Sequence, residues 1–176
     1  SATVSPLALY QRLHGCPEQQ GERATSPFAA TQSTVLIVRD IPTYFRQRSN
    51  SLPKLSELVN ALIEAQPGRY LIAFASYSYL NMFAQQHNPV GHVFRIQSSG
   101  ERAEELQQHK RFVMGEPSVV FGVVMGGSFS ESIEFGEGQL SGVIVVGIGL
   151  PPPSLQGDLT AQYFDENAGE GWGQMV

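Results

Sequence analysis

The chain has 176 residues, 41% of them apolar and 10% aromatic, and carries a formal net charge of −5. That length is enough for one domain with a real core, no run of about 18 apolar residues exists to cross a membrane, and the N-terminus lacks the basic-then-apolar pattern of a secretory signal. The acidic balance argues against tight, salt-driven binding of nucleic acid by this chain alone, because Lys and Arg carry such binding against phosphate, yet it leaves room for contacts in a local groove.

The predicted elements begin with a helix capped by Ser5, opened by Pro6 and ended by Gly15, with Leu7, Leu9, Tyr10 and Leu13 on its apolar side. Residues 16 to 33 are polar and turn-rich and read as a loop. Val35-Leu36-Ile37-Val38 is a short β-branched run, predicted to be a buried strand. A loop with Arg39, Arg46 and Arg48 follows, the one basic cluster and a candidate for tracking a phosphate backbone. Leu55, Leu58, Val59, Leu62 and Ile63 recur at helical spacing between Ser51 and Pro67-Gly68.

Tyr70 to Phe74 is predicted to be a strand, and Tyr77 to Gln86 a helix with Tyr79, Leu80 and Phe83 turned inward. A strand at Val93 to Ile96 precedes a charged helix from Glu101 to Arg111, whose early acids and late bases complement a helix dipole. Val119 to Val124 reads as a strand, Gly126 to Gly138 as a Gly/Ser loop, and Val143 to Ile148 as the most apolar strand before the stop at Pro151-Pro152-Pro153. Trp172 lies in a Gly-rich tail.

Strands alternating with helices of about ten residues predict an α/β domain. The apolar strands lack polar alternation, as in a mainly parallel sheet with helices on both faces, a three-layer architecture. Ligands of such sheets bind outside the carboxyl ends of the strands, which directs attention to residues 75–78, 97–100 and 125–138.

Cys16 is the single cysteine, so neither an internal disulfide nor a four-cysteine iron–sulfur cluster forms within the chain, and a reducing cytoplasm is the expected location. His14, His87, His92 and His109 show no metal-ligand spacing.

Four segments, in order, carry a resemblance. Ser1-Ala2-Thr3-Val4-Ser5-Pro6 is similar to the motif III stretch Ser-Ala-Thr-Leu-Ser-Pro that closes the first motor domain of DinG/XPD-type superfamily 2 helicases, and reads as the interior of a longer protein. Ser26-Pro27-Phe28 resembles the start of the second motor domain. Residues 68–77, ending Phe74-Ala75-Ser76-Tyr77, resemble motif IV. Residues 126–134 resemble motif V, usually Gly-Gly-x-Phe-Ser-Glu-Gly-Ile-Asp, and Leu140 with Gly147-Ile148-Gly149-Leu150-Pro151 continues the match. The chain looks closest to the bacterial DinG-like (YoaA-like) branch.

The resemblance implies a RecA-like P-loop-type fold, with residues 1–25 as the end of motif III and a linker helix and residues 26–176 as the second motor domain. It implies part of a 5′-to-3′ DNA helicase that uses ATP and Mg2+, acting with the first RecA-like motor domain and with replication or repair proteins. A 4Fe-4S cluster, where the family has one, belongs to the first domain. Implied contacts with single-stranded DNA fall on Ser76, Tyr77, Gln97, Ser98, Ser128 and Phe129. Gly126, Gly127, Ser130, Glu131 and Glu134 would face the nucleotide cleft, and Arg39, Arg46 and Arg48 the phosphates. Each has a plainer alternative: Ser76 as a helix cap, Tyr77 as packing, Gln97-Ser98-Ser99 as a solvated turn and the arginines as solvated charge.

The sequence contains no Gly-x-x-x-x-Gly-Lys-Ser/Thr loop, no Asp-Glu-Ala-His segment and no Gln-x-x-Gly-Arg-x-x-Arg motif, so ATP hydrolysis by this chain alone is not expected. Ser132 stands where motif V usually has Gly, and Glu134 where it has Asp, which would weaken the coupling of ATP to DNA. The competing reading is a non-catalytic interaction domain that keeps the fold.

Overall fold

The computed structural model describes residues 7, 10–11, 14–15, 24–27, 29–127, 129, 134–136, 139–149 and 154–168. Val38–Pro151 form one compact unit, and Ser1–Ile37 with Pro152–Val176 form another.

Among its described residues the larger unit holds three α-helices, α1 (Arg48–Ala65), α2 (Tyr77–Gln86) and α3 (Ala103–Gly115), and four strands, β1 (Arg69–Phe74), β2 (Val93–Ile96), β3 (Val119–Val124) and β4 (Gly142–Val146). The strand order is β2-β3-β1-β4, and every pairing is parallel. Arg69 lies opposite Val119, Tyr70 opposite Gly142 and Val93 opposite Val119. β1 and β3 are central, buried on both faces, and therefore read as continuous apolar runs.

Alternation along those runs divides the core in two. On one face Tyr70, Ile72, Phe74, Val120 and Val124 meet Leu52, Leu55, Val59 and Ile63 of α1 and Tyr79, Leu80 and Phe83 of α2. On the other, Leu71, Ala73, Val119, Phe121 and Val123 meet Leu106 and Val113 of α3 together with Phe129. The three-layer α/β architecture expected from the sequence is thus present.

Backbone ends are satisfied by specific side chains. The Arg69 guanidinium donates to the carbonyls of Glu116 (2.9 Å) and Met114 (3.3 Å), closing the end of α3 where cations are favoured. Asn60 of α1 donates to the Asn88 carbonyl (3.0 Å) and accepts from the Val90 amide (3.2 Å), tying down the α2–β2 turn.

Four expectations need correction. Val35 to Val38 form no strand: residues 33–39 have no regular structure, and these side chains are 80%, 76%, 74% and 45% exposed. A β-branched run becomes a strand only where a ladder partner exists, because β-propensity is mostly packing context. Glu101 is not in α3, which starts two residues later, with the Glu105 carboxylate accepting the Arg102 amide at 2.7 Å. β4 ends at Val146, since Gly147 turns the chain at φ +87. Val143 and Val145 share a face with Leu71 and Ala73 but are exposed, so β4 is not covered on both sides among the described residues.

In the smaller unit, Leu7, Tyr10 and Gln11 are helical, as expected, while Ser5 and Pro6 lie outside the described residues. A helix not anticipated from the sequence, α4 (Leu155–Ala168), starts at Ser154, whose hydroxyl accepts the Gly157 amide at 3.1 Å. No described helix is long and apolar enough to cross a membrane.

Candidate functional site

The carboxyl ends of β1, β2 and β3 lie side by side, and the loops leaving them carry the residues singled out above. Ser76 follows β1 and caps α2: its backbone is extended and its hydroxyl accepts the Tyr79 amide at 3.3 Å. A polar cap fits here because the first amides of a helix have no partner within it. The first residue of α2 is Tyr77, half-buried, whose hydroxyl accepts a hydrogen bond from Gln97 Nε2 at 2.7 Å.

Gln97 joins the three strand ends. Its backbone amide donates to the Gly122 carbonyl (2.9 Å), its side-chain oxygen accepts the Val124 amide (3.3 Å), and its side-chain nitrogen reaches Tyr77. The residue is 2% exposed. A buried amide side chain is tolerated because both of its ends are used.

Gly126 turns the chain after β3 at φ +70, and Gly127 follows with its amide on the Val124 carbonyl at 3.0 Å. A Cβ at Gly127 would lie 2.9 Å from the Val124 carbonyl oxygen, 3.5 Å from Gln97 Nε2 and 3.8 Å from the Tyr77 hydroxyl. Glycine is therefore required for close approach, and Tyr77, Gln97 and Gly127 form one contact cluster.

Not every predicted residue joins it. Ser98 is exposed, but its amide is taken by the Glu101 carboxylate. Phe129 is 1% exposed, packed at 4.8 Å between ring centres against Phe121, so its ring lies in the core and anchors the loop from beneath. Glu134 is exposed, its carbonyl accepting from Lys110 Nζ. Ser128, Ser130, Glu131 and Ser132 lie outside the described residues.

The arginines divide as well. Arg39 and Arg46 are exposed. Arg48 is half-buried, donates to the Thr43 carbonyl at 3.2 Å and stacks 4.4 Å from the Tyr79 ring centre, so its guanidinium is committed to packing. What the sequence did not reveal is the pairing of Glu101 with His109, at 3.0 Å behind the Gln97–Gly100 turn. Their spacing of eight carried no recognisable signal. No group of three or more metal-ligating side chains occurs among the described residues.

Chemically, the edge offers hydroxyls and amides. The Ser76 and Tyr77 oxygens each accept one hydrogen bond and keep their own proton to donate. The free amides at the start of α2 add the positive end of a helix dipole. Such an edge has the chemistry to receive an anion, and a glycine turn closes one side of it.

Comparison with known proteins agrees with this architecture. Residues 59–176 match the family described as helicase C-terminal domain. No curated protein sequence matches. One solved structure, an XPD helicase, superposes with a TM-score of 0.55 at 22% identity, over 70% of this chain and 22% of that one. An apo XPD structure gives 0.56 at 22% identity, over 73% and 26%. The chain thus spans about a quarter of the length of the structures it resembles, and those likenesses speak for the fold. By the match over residues 59–176, the chain belongs to the helicase C-terminal domain family.

Proposed function

We propose that this chain is the second RecA-like motor domain of an ATP-dependent, DinG-like 5′-to-3′ DNA helicase, with residues 26–176 forming that domain and residues 1–25 the end of motif III and its linker. In the whole protein it would grip single-stranded DNA and form one wall of the ATP cleft. The observation that carries the reading is the convergence of Tyr77, Gln97 and Gly127, from the segments that follow three different strands, at the carboxyl edge of the sheet. Family membership supplies the helicase context.

A strand phosphate would sit at the start of α2, receiving the Ser76 and Tyr77 hydroxyl protons and the first free amides of the helix. Such contacts read the backbone and carry no base preference, as a motor moving along any sequence requires. With a net charge of −5 and few cations at this edge, binding by the chain alone is weak. ATP and Mg2+ would lie between the two motor domains. The phosphate-binding loop would come from the first domain, and the loop after β3, with Glu131 and Glu134, would face the nucleotide. Closing and opening that cleft would ratchet the strand.

The experiment is fluorescence anisotropy with a labelled single strand and the matching duplex at low and moderate salt, for the chain and for Ser76→Ala combined with Tyr77→Ala. The reading predicts weak binding that prefers the single strand and falls in the double variant. Binding that is absent at low salt, or unchanged in the variant, favours an interaction domain that keeps the fold without the grip.

A further inference from the structure

Behind the Gln97–Gly100 turn lies a second set of polar side chains. Gly100, at φ +76, turns the chain back so that Glu101 lies beneath the turn, its side chain only 9% exposed. One oxygen, Oε1, accepts both the Ser98 amide and, at 3.0 Å, the ring nitrogen Nε2 of His109. Because a carboxylate only accepts, the His109 proton is on Nε2. The other oxygen, Oε2, is buried with no hydrogen-bond partner among the described residues.

An unpartnered carboxylate oxygen costs folding free energy, so this pair is a poor device for stability alone. Its connections indicate what it does. Through Ser98 it holds the turn that carries Gln97, and Gln97 in turn meets Tyr77 and Gly127. Through His109 it reaches the other loop: that ring lies 4.9 Å from Phe121 and 6.4 Å from Phe129, between ring centres. Phe129 is two residues beyond Gly127. Both loops of the candidate interface therefore rest on one buried carboxylate–imidazole hydrogen bond.

We propose that Glu101 and His109 are positioning residues that lock the turn after β2 to the loop after β3, so that the two sides of the nucleic-acid interface move as one body. The regulatory part of this inference, control of strand affinity, rests on the function proposed above; the mechanical part does not. Neither residue touches the strand. Their effect passes through the Ser98 amide on one side and the Phe129 ring on the other.

The test combines amide hydrogen exchange, followed by mass spectrometry, with strand anisotropy on the whole chain and on Glu101→Ala, Glu101→Gln, Glu101→Met and His109→Gln. In Glu101→Ala, exchange rises about tenfold at residues 98–100, as expected for one lost charge-assisted hydrogen bond. It rises also in the peptide carrying Gly126, Gly127 and Phe129, while β1 and α2 stay protected. Glu101→Gln keeps an acceptor at Oε1 and restores most of the protection, whereas Glu101→Met, of similar volume but without that acceptor, does not. His109→Gln loosens the Phe129 peptide even if Glu101→Ala folds poorly. Uniform exchange across the chain, or no change in the Phe129 peptide, overturns the proposal. Where the parent chain binds a single strand, Glu101→Ala should bind it several-fold more weakly, and equal binding overturns the control of affinity. A parent chain that binds no strand overturns the proposed function instead, and the exchange data then judge the lock by themselves.

Discussion

The Gln97 side chain donates to the Tyr77 hydroxyl at 2.7 Å and accepts the Val124 amide at 3.3 Å, so one buried residue holds the ends of β1, β2 and β3 in a fixed arrangement. Replacing it by Leu removes both of its side-chain hydrogen bonds, the one to the Tyr77 hydroxyl and the one from the Val124 amide. Gln97→Leu should lower stability by about 1–3 kcal/mol, read from urea midpoints, as expected for the loss of buried hydrogen bonds. The same variant should bind a single strand more weakly, because Tyr77 loses the group that orients its hydroxyl. Full stability would mean that the Val124 amide finds another acceptor.

Gly127→Ala places a methyl 2.9 Å from the Val124 carbonyl oxygen, closer than carbon and oxygen tolerate. The backbone must shift, and overpacking of this kind costs about 1–3 kcal/mol. Strand binding should fall along with stability, since the shift opens the Tyr77–Gln97 contact. An alanine variant equal to the parent in both measurements would show that the turn is looser than the described geometry.

Stability should also fall with acid. His92 Nδ1–H donates to the Val90 carbonyl (3.0 Å), so His92 Nε2 accepts from His87 Nε2–H (3.2 Å), and His87 Nδ1 accepts the Ser56 hydroxyl (2.7 Å). Burial, and after it the neighbouring His92, lower the His87 pKa from 6.5 to about 4. The folded value is below the unfolded one, so the folded state binds fewer protons. The contribution is complete above the unfolded value of about 6.5 and is lost as pH falls from there towards about 4. Urea midpoints measured across that window should decline for the parent, and less steeply for His87→Phe. Equal slopes would assign the acid sensitivity to other groups.

The exposed run at Val35 to Val38 and the buried core should respond in opposite ways. Leu36→Ser, at a side chain 76% exposed, should change stability by less than about 0.5 kcal/mol. Leu80→Ala, at 0% exposure between α2 and the sheet, should cost about 2–5 kcal/mol. Thermal melts of the two variants make the comparison, and a large loss for Leu36→Ser would give the run a buried role.

These contrasts mark how far sequence patterns reach. β1 and β3 were legible because a buried parallel strand is an unbroken apolar run, and the α1 stripe because helical spacing repeats over five positions. Val35 to Val38 is an apolar run like the middle of β1, but it has no ladder partner among the described residues. At the candidate site, Ser76, Tyr77 and Gly127 stood out through motif matches and Gln97 through its place after a strand. The hydrogen bonds that join them depend on strand order, which local pattern does not encode. Glu101 looked like an early helix acid, and its pairing with His109 becomes visible only once the turn folds back over α3. The helix α4 escaped notice because Leu155, Leu159 and Tyr163 stay exposed and mostly polar residues stand between them.

The most direct test of the proposed grip is residue-level mapping of a single strand on the chain, whose 19.2 kDa suits amide NMR. Titration with an oligothymidine at low salt should shift the amides of Ser76 to Tyr79, Ser98 to Gly100 and Gly126 to Gly127 together, with one apparent affinity. It should leave the opposite edge, around His87 and His92, unmoved. Shifts confined to that opposite edge or to the Val35–Val38 run, or no shifts at any strand concentration, would contradict the assignment of the carboxyl edge as the nucleic-acid interface.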